Sequence, residues 1–437
     1  MHVSRLIRVC RGLLVLLLLA CALPSSHAYS VLTHEEVVDL VWTTNIVPLL
    51  KQRFPEATDD DIRRAHAYAY GGSVIQDIGY YPFGSHYFSD LLHYVRTGDF
   101  VSALIADSTD IEDYAFALGA LAHYCGDTIG HPYINEATAA EYPKLRKRYG
   151  KIVTYEEDPV AHLRTEFGFD VVQVAHSRFA SDAYRDFIGF QVARPLLHRA
   201  FFETYGIRMD DVMTHEDLAI GSYRRSVSHL IPHMTRVALV AYGKQLKAED
   251  PSFDRKTFIY RIKRSQYRKE FGKGYKEPGM GERLLALLVK IVPKVGPFRA
   301  LRLSLPTPQE EDVYLKSVNL TVDCYQQHLV ELRLPALVRL GPKLPDMDLD
   351  TGKPSAAGEY RLADVSYAHL LQQVTAPGDP GIPIGLHDNL LAYYADPNAP
   401  NSVRQDAAKW NGVQDDLLLL RQAKLVPVPP ASAPATP

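Results

Sequence analysis

The stretch from Asp110 to His131 constrains this chain more than any other. It is a long apolar run with helical periodicity, and it carries His123, Asp127 and His131 at i, i+4 and i+8. On an α-helix those positions share one face. Polar groups on an apolar helix are costly to bury unless something satisfies them. Two imidazoles and a carboxylate in register form a ladder of metal donors, and zinc accepts that donor set. The competing reading is a helix with satisfied core histidines and a capping aspartate. Cys125 points to the opposite face and is not counted as a donor. Pro132 follows at once and is expected to end the helix.

Helical patterns dominate the rest of residues 29–245. Val37 to Leu50 has apolar residues at helical spacing after Glu35 and Glu36, and Asp59-Asp60-Asp61 opens a further helix. More helices are expected around 158–168, 181–203 and 214–246. Alternating β patterns are scarce, so the expected class is all-α. With 46% hydrophobic and 23% charged residues over 437 positions, the chain can bury a large core. The formal net charge of −3 gives no global reason to expect nucleic-acid binding.

The N-terminus reads as a leader and not as fold. Arg5, Arg8 and Arg11 precede an apolar run from Leu13 to Leu19, and Ser26-His27-Ala28 offers small residues at a cleavage site. Residues 1–28 are therefore expected to be a signal peptide, and the protein to be exported, periplasmic or secreted. A membrane anchor is one alternative. Another is a lipobox, Leu18-Leu19-Ala20-Cys21, which would make a lipoprotein through Cys21. Beyond the leader only Cys125 and Cys324 remain, which leaves room for one disulfide in an oxidising compartment. No Cys-rich metal knuckle exists, so any zinc must use imidazole and carboxylate.

Residues 255–303 hold 14 Lys/Arg against 3 Glu, around the apolar stripe Leu284 to Val289. Such a segment suits an anionic membrane surface, or is a solvated basic face beside a core helix. Residues 308–333 read as one more helix. After about 340 the chain turns rich in Pro, Gly and Asp, with short helices expected at Tyr367–Val374 and Leu386–Tyr394, and Pro427–Pro437 reads as a disordered tail. The expected division is a leader over 1–28, a helical domain over 29–250, a basic and apolar extension over 251–340, and a Pro/Gly-rich region over 341–437.

Three further sets of donors stand out. His162 and Glu166 lie at i, i+4 and share a helix face. Tyr29, if cleavage follows Ala28, gains a free α-amino group five residues before His34. Asp77 precedes Gly79 and Pro82 and is expected to end a helix in a loop, with His86 and His93 after it. Tyr80, Tyr81, Phe83, Tyr87 and Phe88 lie between these donors and are read as either an apolar wall or core.

The order Tyr29, His34, Asp77, a His, H-x-x-x-D at 123–127, His131 and H-x-x-x-E at 162–166 resembles the zinc-dependent phospholipase C family. The same arrangement recurs in the trizinc single-strand-specific fungal nucleases. The resemblance covers residues 29–166, and nothing after 250 contributes to it. It implies a multi-helix phospholipase C/nuclease-type domain with an irregular C-terminal extension, holding two or three Zn2+. Tyr29, through its amino nitrogen and carbonyl, and His34 would hold one ion, and Asp127 would bridge it to a second. Asp77, His93 and His123 would complete the second, with His93 favoured over His86. His131, His162 and Glu166 would hold the third. Asp77 would also orient or deprotonate the attacking water. Tyr29 stands where the family has Trp, a change the backbone donor tolerates. The four-residue gap from Asp127 to His131 looks more like the N-terminal domain of glycosylphosphatidylinositol-specific phospholipase D. The implied activity is hydrolysis of phospholipid headgroups by metal-activated water, with a phospholipid or membrane surface as partner. A single-strand nuclease or nucleotidase on the same site, and a non-catalytic zinc-binding exported protein, are the alternatives.

Overall fold

A computed structural model describes residues 31–175, 190–225, 306–334, 342–377 and 381–427. The expected leader, Cys21, Tyr29, the basic segment 255–303 and the tail from 428 lie outside the described residues. So do parts of the helices expected over 181–203 and 214–246.

The described chain is all-α. Its helices are α1 (Val31–Val41), α2 (Val47–Arg53), α3 (Asp59–Gly72), α4 (His86–Tyr94), α5 (Thr97–Ala106), α6 (Ile111–Glu141), α7 (Pro143–Tyr149) and α8 (Pro159–Ala175). They continue as α9 (Arg194–Tyr205), α10 (Met209–Val212), α11 (Glu216–Arg225), α12 (Pro308–Glu331), α13 (Arg361–Val374), α14 (Ile384–Tyr393) and α15 (Ala407–Gln422). A π turn, Trp42–Ile46, joins α1 to α2, and a 3-10 turn, Ile75–Tyr80, follows α3. The strands are two-residue pairs. β1 (Met347–Asp348) runs antiparallel to β2 (Lys353–Pro354), and β3 (Ile382–Pro383) runs parallel to β4 (Leu425–Val426). Among the described residues no helix is long and apolar enough to cross a membrane.

The acidic start at 59–61 is part of a cap, whereas Glu35 and Glu36 lie buried inside α1 and not in its first turn. The Thr58 hydroxyl accepts from the Asp61 amide, and the Asp61 carboxylate accepts from the Thr58 amide, closing a capping box on α3. Asp110 accepts from the amides of Glu112 and Asp113 at the head of α6.

Helix α6 is the axis of the domain. Every residue from Tyr114 to Asp127 is buried, so no face of this stretch meets water. Helices α1, α3, α5, α8 and α12 all pack against it. The closest crossing is with α3, and two glycines permit it. A Cβ at Gly119 would sit 2.0 Å from the Ala69 carbonyl, and one at Gly72 would sit 1.9 Å from the Phe116 carbonyl. Backbone therefore meets backbone, and the end of α3 is pressed against the donor-bearing part of α6.

Pro132 does not end α6, contrary to the sequence expectation. The helix continues to Glu141 because its last turns are buried through Ile134, Asn135, Ala137, Thr138 and Ala139. That packing outweighs the roughly 3 kcal/mol that an internal proline costs. The Thr128 carbonyl, denied an amide at position 132, faces Gly352, where a Cβ would lie 2.4 Å from it. Gly352 has φ +66°, and its loop covers this turn of α6.

The C-terminal part holds more helix than expected. The two short helices foreseen there are α13 and α14, somewhat shifted, and α15 was not anticipated at all. The segment 344–354 runs back across the domain. The Met347 amide donates to Thr97 Oγ1, and the Leu349 amide donates to the His93 carbonyl.

Candidate metal centre

Each expected donor in the described residues points into one buried region. His34 comes from α1, Asp77 from the 3-10 turn after α3, and His93 from the last turn of α4. His123, Asp127 and His131 come from α6, and His162 and Glu166 from α8. All eight side chains are buried. They fall into three groups whose donor atoms lie within 4.8 Å of one another: His34 with His123 and Asp127, Asp77 with His93 and His123, and His131 with His162 and Glu166.

Asp127 stands between the first two groups. Its Oδ1 lies 3.4 Å from His34 Nε2, and its Oδ2 lies 3.4 Å from His93 Nε2 and 3.0 Å from His123 Nε2. Asp77 Oδ1 is also 3.4 Å from His93 Nε2. Donors bonded to one tetrahedral zinc at 2.0–2.1 Å are separated by about 3.4 Å. The spacing is thus that of ligands around an ion more than of a direct hydrogen bond. In the third group Glu166 Oε1 lies 2.8 Å from His162 Nε2 and 3.9 Å from His131 Nε2.

The imidazoles are oriented from behind. Nδ1 of His123 donates to the Ser73 carbonyl at 2.9 Å, and Nδ1 of His93 donates to the Ser89 carbonyl at 2.8 Å. His131 Nδ1 donates to the Leu349 carbonyl. A carbonyl only accepts, so these contacts fix a proton on Nδ1 and turn Nε2 toward the group. The tight α3–α6 crossing is what brings the Ser73 carbonyl within reach of His123.

Donor chemistry and burial fit a metal. Both oxygens of Asp77, Asp127 and Glu166, with Nε2 of His123 and of His131, are buried without a well-directed hydrogen bond. A satisfied structural core does not leave so many polar atoms in this state. Burial, aided by the charge of His123, holds His34 well below the usual imidazole range, and burial does the same for His162. The neutral imidazole is the ligating form; against burial, the Asp127 and Asp77 carboxylates hold His93 and His123 above the usual imidazole range instead. Burial alone would raise Asp127, but the surrounding His123 and His131 outweigh it and keep that carboxylate ionised. Burial pushes Asp77 and Glu166 up, for Asp77 against the pull of His123 and His93.

Of the two histidine options after Asp77, the structure brings in His93, whereas His86 is exposed at the head of α4. The aromatic set divides. Tyr81 packs on Tyr223 and Phe88 on Phe201 as core, and Phe83 is exposed. Tyr80 faces the site, its ring centroid 5.6 Å from His93. Tyr155 joins it from the loop before α8, 6.3 Å from Tyr80 and 6.1 Å from His162. These two rings span the space between the second and third groups.

The sequence did not point to residues 349–360, yet they line the back of the third group. Asp350 Oδ1 lies 3.6 Å from His131 Nδ1, and Asp350 Oδ2 accepts from Tyr94 at 2.9 Å and Tyr360 at 2.6 Å. The Asp350 carbonyl accepts from Asn135 at 2.8 Å. A backbone carbonyl leaves no side-chain signature, and Asp-Leu-Asp before Gly reads as an ordinary turn. No periodicity marks it.

Residues 33–214 match the model of a family described as zinc dependent phospholipase C. The match spans all eight described donors and bears out the resemblance drawn from their order. The description of that family supports Zn2+ as the metal. No curated protein and no solved structure matches the chain.

Proposed function

We propose that this chain, whose residues 33–214 match the model of a family described as zinc dependent phospholipase C, is an exported phospholipase C that cleaves phospholipids on the glycerol side of the phosphate. The observation that carries the reading is the position of Asp127, whose two oxygens face two different groups of buried imidazoles. That arrangement suits a bridging ligand, and with the His131, His162 and Glu166 group it supports three zinc sites. Tyr29 would add its amino nitrogen and carbonyl oxygen to the His34 site.

Zinc, when bound, supplies Lewis acidity toward a phosphodiester oxygen and lowers the pKa of coordinated water. The residues supply position and proton transfer. Ser73, Ser89 and Leu349 hold three imidazoles in a fixed tautomer through their carbonyls. Asp77 meets His93 through Oδ1, and we assign its Oδ2 to orienting the attacking water and accepting its proton. The rings of Tyr80 and half-buried Tyr155 form an aromatic wall beside His93 and His162. Such a wall suits the apolar part of a lipid, and a phospholipid or membrane surface is the partner we infer. The signal peptide over 1–28 and the four-part division of the chain belong to the same reading.

Purified full-length protein, incubated with phosphatidylcholine vesicles and separately with single-stranded DNA, tests the substrate. Release of phosphocholine supports the proposal. Cleavage of DNA alone replaces it with a nuclease on the same metals, and no hydrolysis of either by zinc-loaded protein removes both.

A further inference from the structure

We propose that Cys125 and Cys324 are joined by a disulfide that pins α12 to the back of α6. Cys125 is wholly buried on the face of α6 opposite His123 and Asp127, and Cys324 is half-buried on α12. Their sulfurs lie 3.1 Å apart across 199 positions of sequence. The two helices are otherwise held side by side, with the Tyr325 hydroxyl donating to the Leu118 carbonyl at 2.8 Å. Bonded sulfurs lie about 2.05 Å apart, so an approach of roughly 1 Å closes the link.

His328, one turn on from Cys324, completes a group whose donor atoms lie within 4.8 Å of one another. Such a trio suggests a metal, but the geometry favours the bridge. Thiolates on one tetrahedral zinc, bonded at 2.3 Å, are separated by about 3.7 Å. The observed 3.1 Å is shorter than that edge. Among the described residues no fourth His, Cys, Asp or Glu joins the trio within that distance.

The same surroundings set the order of the chemistry. Cys324 is the partly accessible thiol. The hydrogen bond from Cys125 holds it down at about 5 against burial, and His328 adds to the effect. His328 is itself braced by Glu331, with Nδ1 3.2 Å from Oε2. The Cys324 thiolate attacks one sulfur of an external disulfide, a small-molecule disulfide or that of a thiol–disulfide oxidoreductase. One thiolate leaves and a mixed disulfide remains on Cys324. Cys125 then loses its proton, attacks Cys324 Sγ and expels the second thiolate. Two protein thiols give up two electrons and two protons, and one external disulfide becomes two thiols.

The bond would fix the rear of the helix that carries three of the donors, from a segment outside the family match. It does not depend on the zinc reading. The test is peptide mapping of full-length protein purified through a secretory route and quenched with an alkylating agent before denaturation. The expected result is one linked pair of peptides, carrying Cys125 and Cys324, that separates on reduction. Reduced, folded protein treated with oxidised glutathione should regain the same pair, and Cys324→Ser should leave Cys125 unlinked. Alkyl groups on both cysteines in the secreted and in the glutathione-treated protein overturn the proposal. So do thiols that alkylate only after a chelator is added, since that identifies a metal held by the trio.

Discussion

Asp127 and His34 stand 3.4 Å apart, one on the central helix and the other on the first described helix, with both side chains wholly buried. The other Asp127 oxygen turns away from His34 toward His93 and His123. One carboxylate thus ties the first group of donors to the second.

Asp127→Asn keeps the shape and removes the charge. Replacing residues that merely support ligands typically costs 10–100-fold in metal affinity or activity, so loss of the bridge should cost about a hundredfold or more. Steady-state hydrolysis and metal analysis of the same preparation check it. Wild-type turnover in the variant would show that Asp127 does no bridging.

Asp350→Asn probes the strap from the C-terminal part. The side chain holds Tyr94 and Tyr360 and lies beside the His131 ring. The expected effect is a fall of about 10–100-fold in affinity for one zinc ion, with the other ions retained. Zinc titration against a competing chelator measures it. Unchanged affinity for every ion would leave Asp350 a purely packing residue.

Gly119→Ala tests the crossing that places Ser73 behind His123. The new Cβ would meet the Ala69 carbonyl at 2.0 Å, so α3 and α6 must part. Overpacking of this kind costs about 1–3 kcal/mol. Thermal unfolding should fall by a few degrees, and zinc affinity should weaken with it. A variant as stable as wild type would contradict backbone contact at this crossing.

Glu141 makes a pH prediction away from the metal donors. Burial, with the charge of Glu310, pushes its carboxyl up to about 8, although the Thr165 hydroxyl, 3.1 Å away, pulls the other way. The folded value lies above the unfolded value of about 4.3. The unfolded chain therefore releases this proton first, and stability is lost as pH rises from about 4 to about 8. Glu141→Gln should flatten the fall in melting temperature over that window. An unchanged slope would mean that Glu141 is ionised in the folded protein.

Much of the site could be read from residue spacing. His123, Asp127 and His131, and separately His162 and Glu166, announce a shared face because the helix period fixes it. Their convergence with His34, Asp77 and His93 could not be read from spacing, since it depends on how five elements pack, and only the family resemblance suggested it. Pro132 misled because local propensity was overruled by burial of the turns after it. The strap at 344–360 escaped because it acts through the Leu349 carbonyl and a turn-like Asp350. The helix Ala407–Gln422 escaped because its polar first half obscures the apolar spacing of Val413, Leu417 and Leu420.

Zinc content of the purified full-length protein, measured before and after chelation, tests the central claim most directly. The account predicts about two to three zinc ions per chain, and a melting temperature that falls by several degrees on chelation and recovers when zinc is restored. Fewer than about one ion per chain after incubation with zinc, or a melting temperature indifferent to the metal, would contradict it.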